Sequence, residues 1–125
     1  MKSLLESNIV IYALISEYAA LRGYLKDLEI HVSQVTRVEV LGFSGLTHDQ
    51  FLNYESLMAD MTHHDVSRGV IDCAVGLRRQ RKMSLGDALI AATALEQGLT
   101  LITRNERDFQ WIPELSIVNP FAESG

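Results

Sequence analysis

The chain has one cysteine, two prolines and one tryptophan in 125 residues. A single thiol, Cys73, cannot form an internal disulfide, which excludes a small disulfide-held scaffold. It fits a reducing cytoplasm, and its place within an apolar helical run suits a small core residue. Both prolines, Pro113 and Pro120, lie near the C-terminus. The rest of the chain carries no proline break, linker, repeat or low-complexity run, so a single domain over residues 1–125 is expected. The longest apolar stretch, Ile9 to Ile15, contains Tyr12 and is far too short to span a bilayer. The opening MKSLLESN has one lysine, two leucines and then Glu6, so no secretory leader is expected.

Positive charge is scarce too. Lys and Arg total 11 against 16 Asp and Glu, giving a net charge of −5. Tight nonspecific nucleic-acid binding depends on clustered positive charge, which this balance argues against. A nuclease is not excluded, because a site built from carboxylates adds negative charge that divalent cations cancel in part.

The residues present alternate between strand and helix patterns. Ser3 to Leu5 reads as a short strand ending at Glu6. Ser7 and Asn8 are N-cap types, and Ile9 to Ile15 reads as the first turns of a helix. Glu17 to Leu28 has Tyr18, Leu21, Leu25 and Leu28 at helical spacing. Glu29 to Val35 alternates and reads as a strand. Thr36 is then expected to cap a helix that carries Glu39 and ends near Gly42 to Gly45, and Thr47 to cap another, with Asp49 in its first turn. Met61 to Val66 is a weak strand candidate. A helix is expected from Ser67 through Lys82. Another runs from Leu85 to Gln97 and stops at Gly98. Leu99 to Ile102 and Ser116 to Val118 complete the strands. Strands alternating with helices predict an α/β fold, with a parallel sheet covered on both faces. In such sheets ligands bind at the carboxyl ends of the strands.

The stretch from Ser84 to Phe109 is the most informative. It puts Asp87 at the start of an apolar helix and Asp108 just after a buried strand. Glu6 and Glu39 occupy comparable positions. Carboxylates forced together repel one another and are tolerable mainly with a cation. Hard divalent ions such as magnesium and manganese take oxygen ligands. Each acid also has a plain structural reading. Glu6 and Asp87 suit helix starts, where negative charge favours the dipole. Glu39 suits an exposed helix face, and Asp108 suits a turn.

The segments LLESNIVIYAL, SQVTRVEVLGF, LGDALIAATAL and LITRNERDF, with the ending LSIVNPF, resemble the PIN-domain ribonucleases of the VapC toxin type. The resemblance runs in order from Leu4 to Phe121. It implies a three-layer PIN-like fold and RNA cleavage with magnesium or manganese. It also implies a cognate VapB-type antitoxin that holds the toxin inactive, DNA contact only through that antitoxin, no membrane association, and a homodimer. The apolar helices between Val38 and Met61 are the expected source of that dimer surface. The family's four acids fall on Glu6, Glu39, Asp87 and Asp108, which would serve both as metal ligands and as the catalytic set. Asn8, Thr103 and Asn105 match the polar residues expected to orient water, substrate or an acidic ligand. Water activated at the metal would attack the phosphate in line, with no protein nucleophile. The antitoxin is expected to lay an apolar helix in a groove and reach the acids with a basic side chain.

This chain departs from the family at the first acid, where Glu6 replaces the usual Asp. Charge is kept, but the carboxylate sits one methylene further out, and metal sites need closely held ligands. Glu6 is a natural variant that still binds metal, an engineered change that lets a toxic nuclease be produced, or the mark of a chain that has lost activity. The intact remainder of the pattern favours the engineered change. The runner-up function is a catalytically silent module that binds antitoxin within a DNA-bound repressor complex. A phospho-accepting receiver domain is poorly supported, because Glu6 stands where an acceptor Asp is needed and no lysine lies between Lys26 and Lys82.

Other residues carry plainer readings. His63 and His64 are adjacent on a strand and point to opposite faces, so a metal role with Asp65 is not expected. Arg78, Arg79, Arg81 and Lys82 suit a solvated helix end, with phosphate or acidic-partner contact as the sharper reading. Phe109 and Trp111 are expected to pack the last strand against the sheet. Tyr12, Tyr18 and Tyr24 are given no function.

Overall fold

The computed structural model describes residues 1–121, and residues 122–125 of the expected domain lie outside them. Strand β1 is Lys2–Leu5, β2 is Glu29–Ser33, β3 is Thr62–His64, β4 is Thr100–Ile102 and β5 is Ile117–Val118. They form one five-stranded sheet in the order β3-β2-β1-β4-β5, and every pairing is parallel. Helices α1 (Ser7–Ala13), α2 (Ala19–Leu25), α3 (Gln34–Leu41), α4 (His48–Ala59), α5 (Arg68–Gln80), α6 (Leu85–Gln97) and α7 (Glu106–Phe109) connect the strands. No helix is long and apolar enough to cross a membrane among the described residues.

Successive side chains of a strand point to opposite faces, and β1 and β4 therefore feed two cores. Leu4 and Leu101 pack with Val70, Ala74 and Leu77 of α5 and with Ala88, Ile90 and Ala91 of α6. Leu5 and Ile102 pack with Ile9 and Val10 of α1, Val40 of α3 and Met58 of α4. The outcome is the expected three-layer α/β arrangement, with the sheet between two helical layers. The strand order reverses between β1 and β4. Such switch points open a crevice at the carboxyl ends of the strands, here just past Leu5 and Ile102.

Several helix starts differ from expectation. Glu6, and neither Ser7 nor Asn8, is the N-cap of α1, and its side chain accepts from the Asn8 backbone N–H. Ser33 caps α3 by accepting from Val35 N–H, so the turn into this helix comes three residues before Thr36. Thr36 is instead fully buried within it. The expected helix over Glu17 to Leu28 is a 3-10 turn at Ser16–Tyr18 followed by the shorter α2. It must stop there because Glu29 already pairs with Lys2 in the sheet. Helix α5 ends at Gln80, and Arg81 is extended. Thr47 and Gln50 form a reciprocal capping box on α4, as the sequence suggests. Gly98 ends α6 in the left-handed conformation, φ 65°, where a residue without a Cβ is favoured.

Candidate active site

Glu6 follows β1 and its backbone N–H donates to the Ile102 carbonyl, continuing the ladder to β4. Its side chain is only 5% exposed. One oxygen, Oε2, accepts from the Asn8 backbone N–H at 2.8 Å. The other, Oε1, accepts from the Thr103 hydroxyl at 3.3 Å. Thr103 is fully buried just past β4, and its Oγ1 also accepts from the Asn105 N–H at 2.9 Å. The first acid is thereby joined to the loop that leads to Asp108.

Asp87 stands in the first turn of α6, where Ser84 caps the helix by accepting from the Asp87 N–H at 3.1 Å. Asp108 lies in α7, and the Asn105 side-chain amide donates to its carboxylate. The expected turn around Asp108 is thus a short helix. Glu39 is exposed on α3, and the Ser7 hydroxyl donates to its Oε1 at 2.6 Å. Ser7 Oγ also lies 3.1 Å from Thr36 Oγ1. Ser7 has one proton, so the short contact to the carboxylate leaves Thr36 to supply the proton of that second contact. Gly86 closes the approach from α6. A Cβ at this position would stand 2.7 Å from Glu39 Oε2.

The electrostatics tie the four acids together. Burial pushes the Glu6 carboxyl above the ordinary glutamate value, and the negative charges of Asp87 and Glu39 add to it. The Asn8 N–H and Thr103 hydroxyl pull the other way. Asp87 is likewise raised, first by burial and then by Asp108 and Glu39, against the Ser84 hydroxyl. Raised carboxylates that repel one another mark a place of negative potential.

Asp87 and Asp108 open into a pocket of about 310 Å³ that also holds Arg81, Lys82, Arg107 and Trp111. The donor set is entirely oxygen, which suits a hard divalent cation. Among the described residues, no three His, Cys, Asp or Glu side chains stand close enough to form a closed metal group. Magnesium does not require one, since it is usually held by one or two carboxylates and keeps several waters.

The structure links the expected residues in part, through hydrogen bonds from Glu6 to Asp108 by way of Thr103 and Asn105. Asn8 contributes its backbone and Thr103 its hydroxyl to Glu6, while Asn105 meets Asp108. Ser7, Gly86 and Arg107 were not foreseen. From the sequence Ser7 reads only as a cap type, and nothing local links it to Glu39. The histidines are elsewhere. His31 Nδ1 lies 2.7 Å from His64 Nε2, and His63 Nε2 lies 2.8 Å from the Met58 carbonyl. Phe109 is fully buried as expected, whereas Trp111 is only partly so and lines the pocket. Tyr12, Tyr18 and Phe121 surround the Arg104 guanidinium, which lies 4.6 Å from the Phe121 ring centroid. This clasp holds the start of the loop between Thr103 and Asp108.

Comparison with curated protein sequences found no match. Among solved structures, the chain is similar to a toxin–antitoxin complex from Klebsiella pneumoniae, with a TM-score of 0.81 and 29% identity, covering 97% of this chain and 99% of that one. It is also similar to VapBC2 from Rickettsia felis bound to a DNA fragment from their promoter, with a TM-score of 0.77 and 25% identity over 95% and 98% of the two chains. VapBC-1 from nontypeable Haemophilus influenzae shares the fold at a TM-score of 0.79 and 21% identity, over 95% and 98%. The profile of the PIN domain family matches residues 3–115, and the chain belongs to that family.

Proposed function

We propose that the chain is the toxin of a toxin–antitoxin pair, a single-domain endoribonuclease that uses magnesium or manganese. The observation that carries this reading is the electrostatic coupling of Glu6, Glu39, Asp87 and Asp108 at the switch point of the sheet. Asp87 and Asp108 would hold the cation, with Glu39 and Glu6 completing the set of four acids. Ser7 fixes the Glu39 carboxylate, Thr103 fixes that of Glu6, and Asn105 orients Asp108. When bound, the cation lowers the pKa of a ligated water and stabilises charge on a phosphoryl oxygen. No side chain is required as a nucleophile.

A VapB-type antitoxin is the proposed partner, with DNA reached only through it; the similar toxin–antitoxin complex and the DNA-bound VapBC2 support a partner of this kind. A groove of about 440 Å³ lined by Ile11, Ile15, Phe43, Leu46 and Tyr54 supports the docking of an apolar helix. Val38 and Phe43, 73% and 63% exposed, support a homodimer or that same partner. A cytoplasmic location accords with this reading.

A second reading has its own observation. Both oxygens of Glu6 already accept hydrogen bonds within the protein, which favours a silent module that keeps the fold and the antitoxin contact. An RNA-cleavage assay separates the two. The enzyme reading expects cleavage in manganese that falls about 10²-fold or more in Asp87→Asn. No cleavage by this chain or by its Glu6→Asp form would leave the silent module standing.

A further inference from the structure

We propose that the pocket beside Asp87 and Asp108 is a single-stranded RNA subsite, in which the Trp111–Arg81 pair takes a base and Lys82 and Arg107 take the flanking phosphates. It rests on the nuclease reading above and adds to it the residues that grip the strand. The pocket measures about 310 Å³, at the lower end of the size of small-ligand sites.

Three features point to this ligand. Helix α5 stops at Gln80, and Arg81 leaves it extended at φ −158° and ψ 145°. That exit directs Arg81 and Lys82 into the acidic pocket, while Arg78 and Arg79 line a separate apolar one. The basic run therefore splits at the helix end. The second feature is the indole. Arg81 Cζ stands 5.7 Å from the Trp111 ring centroid, and Trp111 Nε1 donates at 3.1 Å to the Asp108 carbonyl. The stacking platform is thus clamped to the same turn that carries a site carboxylate. The third is the lack of pairing. The His31–Glu29 contact is the only ion pair among the described residues. Arg81, Lys82 and Arg107 therefore share a pocket with two carboxylates without pairing to them.

Such a pocket suits a ligand that brings anionic oxygens to the cations and a flat π-face to the indole. Phosphodiester strands do both, and bases stack on aromatic rings and on arginine guanidinium planes. Acidic peptides would satisfy the cations but not the indole.

Trp111 is the sole tryptophan, so intrinsic fluorescence reads this pocket directly. An RNA hexamer titrated into the protein in EDTA is expected to quench that fluorescence saturably. Lys82→Ala and Arg107→Ala, both at exposed positions, should each reduce the slope of log affinity against log salt by about 0.7, with unfolding temperatures unchanged. Trp111→Leu should weaken binding of a labelled hexamer about 10-fold. Absence of quenching, or slopes indifferent to Lys82 and Arg107, would overturn the subsite. So would a polyglutamate peptide that binds more tightly than the hexamer. The nuclease reading fails separately. Quenching by RNA that neither this chain nor its Glu6→Asp form cuts in manganese supports the subsite and sinks the nuclease. Cleavage that depends on Asp87, with KM unchanged in the Lys82→Ala/Arg107→Ala double variant, sinks the subsite and leaves the nuclease standing.

Discussion

Glu6 and the Asp87–Asp108 pair are halves of one acidic rim, yet they are held in opposite ways. Glu6 is buried, and both of its oxygens accept hydrogen bonds, one from the helix it caps and one from Thr103. Asp87 is half-buried, Asp108 is exposed, and both face an open pocket. A carboxylate already bonded on both oxygens ties β1, α1 and the β4 loop together. Carboxylates that face a pocket are left for a ligand. The same kind of residue at the end of a buried element is thus engaged within the fold in one half and open to a pocket in the other.

The largest test of this contrast is Glu6→Asp. Asp is a preferred N-cap, whereas Glu is not among the residues that favour that position. The shorter side chain keeps the bond to the Asn8 N–H and withdraws from Thr103, which leaves an oxygen for the cation. Cleavage in manganese should rise, by about 10²-fold if Glu6 displaces the reacting groups by about 1 Å. Equal rates for the two forms would show that the engagement of Glu6 does not limit the site.

The two halves were also unequally legible in the sequence. Asp87 is announced locally, three residues after the capping Ser84 and at the head of an apolar helix. Asp108 follows a buried strand at short range, although its four-residue helix ERDF has no apolar period to reveal it. Glu6 reads as a strand end and a helix start, and it is the N-cap of α1, but its bond to Thr103 is hidden because it joins distant parts of the chain. The sequence suggests Thr36 as the cap of α3 because EIHVSQV alternates past Ser33, where the chain in fact turns. Ser7 and Gly86 were invisible for a related reason. Their role is to meet Glu39, and only the packing of α1, α3 and α6 brings them there.

Gly86→Ala sharpens the comparison at its junction. A Cβ would stand 2.7 Å from Glu39 Oε2, and the contact is with the far end of a flexible side chain. The fold should survive with its unfolding temperature unchanged or slightly raised, since alanine favours helices over glycine. Cleavage should fall about 10-fold as the carboxylate is displaced, on the scale set for misplaced reacting groups. Unaltered cleavage would remove Glu39 from the working set. Thr103→Val should act on the other side of the ledger. It removes the hydroxyl that serves Glu6 and the Asn105 N–H, at a cost of about 1–2 kcal/mol, and chemical denaturation would read it. A variant as stable as the parent would mean that Glu6 does not tie the β4 loop.

The smallest effect is a pH dependence, and its sign follows from the raised carboxyls. In the folded chain Glu6 and Asp87 hold protons to higher pH than in the unfolded chain, where Asp and Glu titrate near about 4. Below that value both states are protonated and neither acid is a burden. As pH rises toward the folded values, the unfolded chain binds fewer protons and stability in EDTA declines. Asp87→Asn removes one of these acids and lifts part of the repulsion on the other. Its unfolding temperature should match the parent's near pH 3 and exceed it at pH 7. Adding manganese at pH 7 should close that gap, because an ion that binds only the folded parent stabilises it. A gap independent of pH would mean that neither burial nor the neighbouring acids raise the Asp87 carboxyl. The open half of the rim would then hold no charge burden for a cation to relieve, and the contrast with the hydrogen-bonded Glu6 would fail.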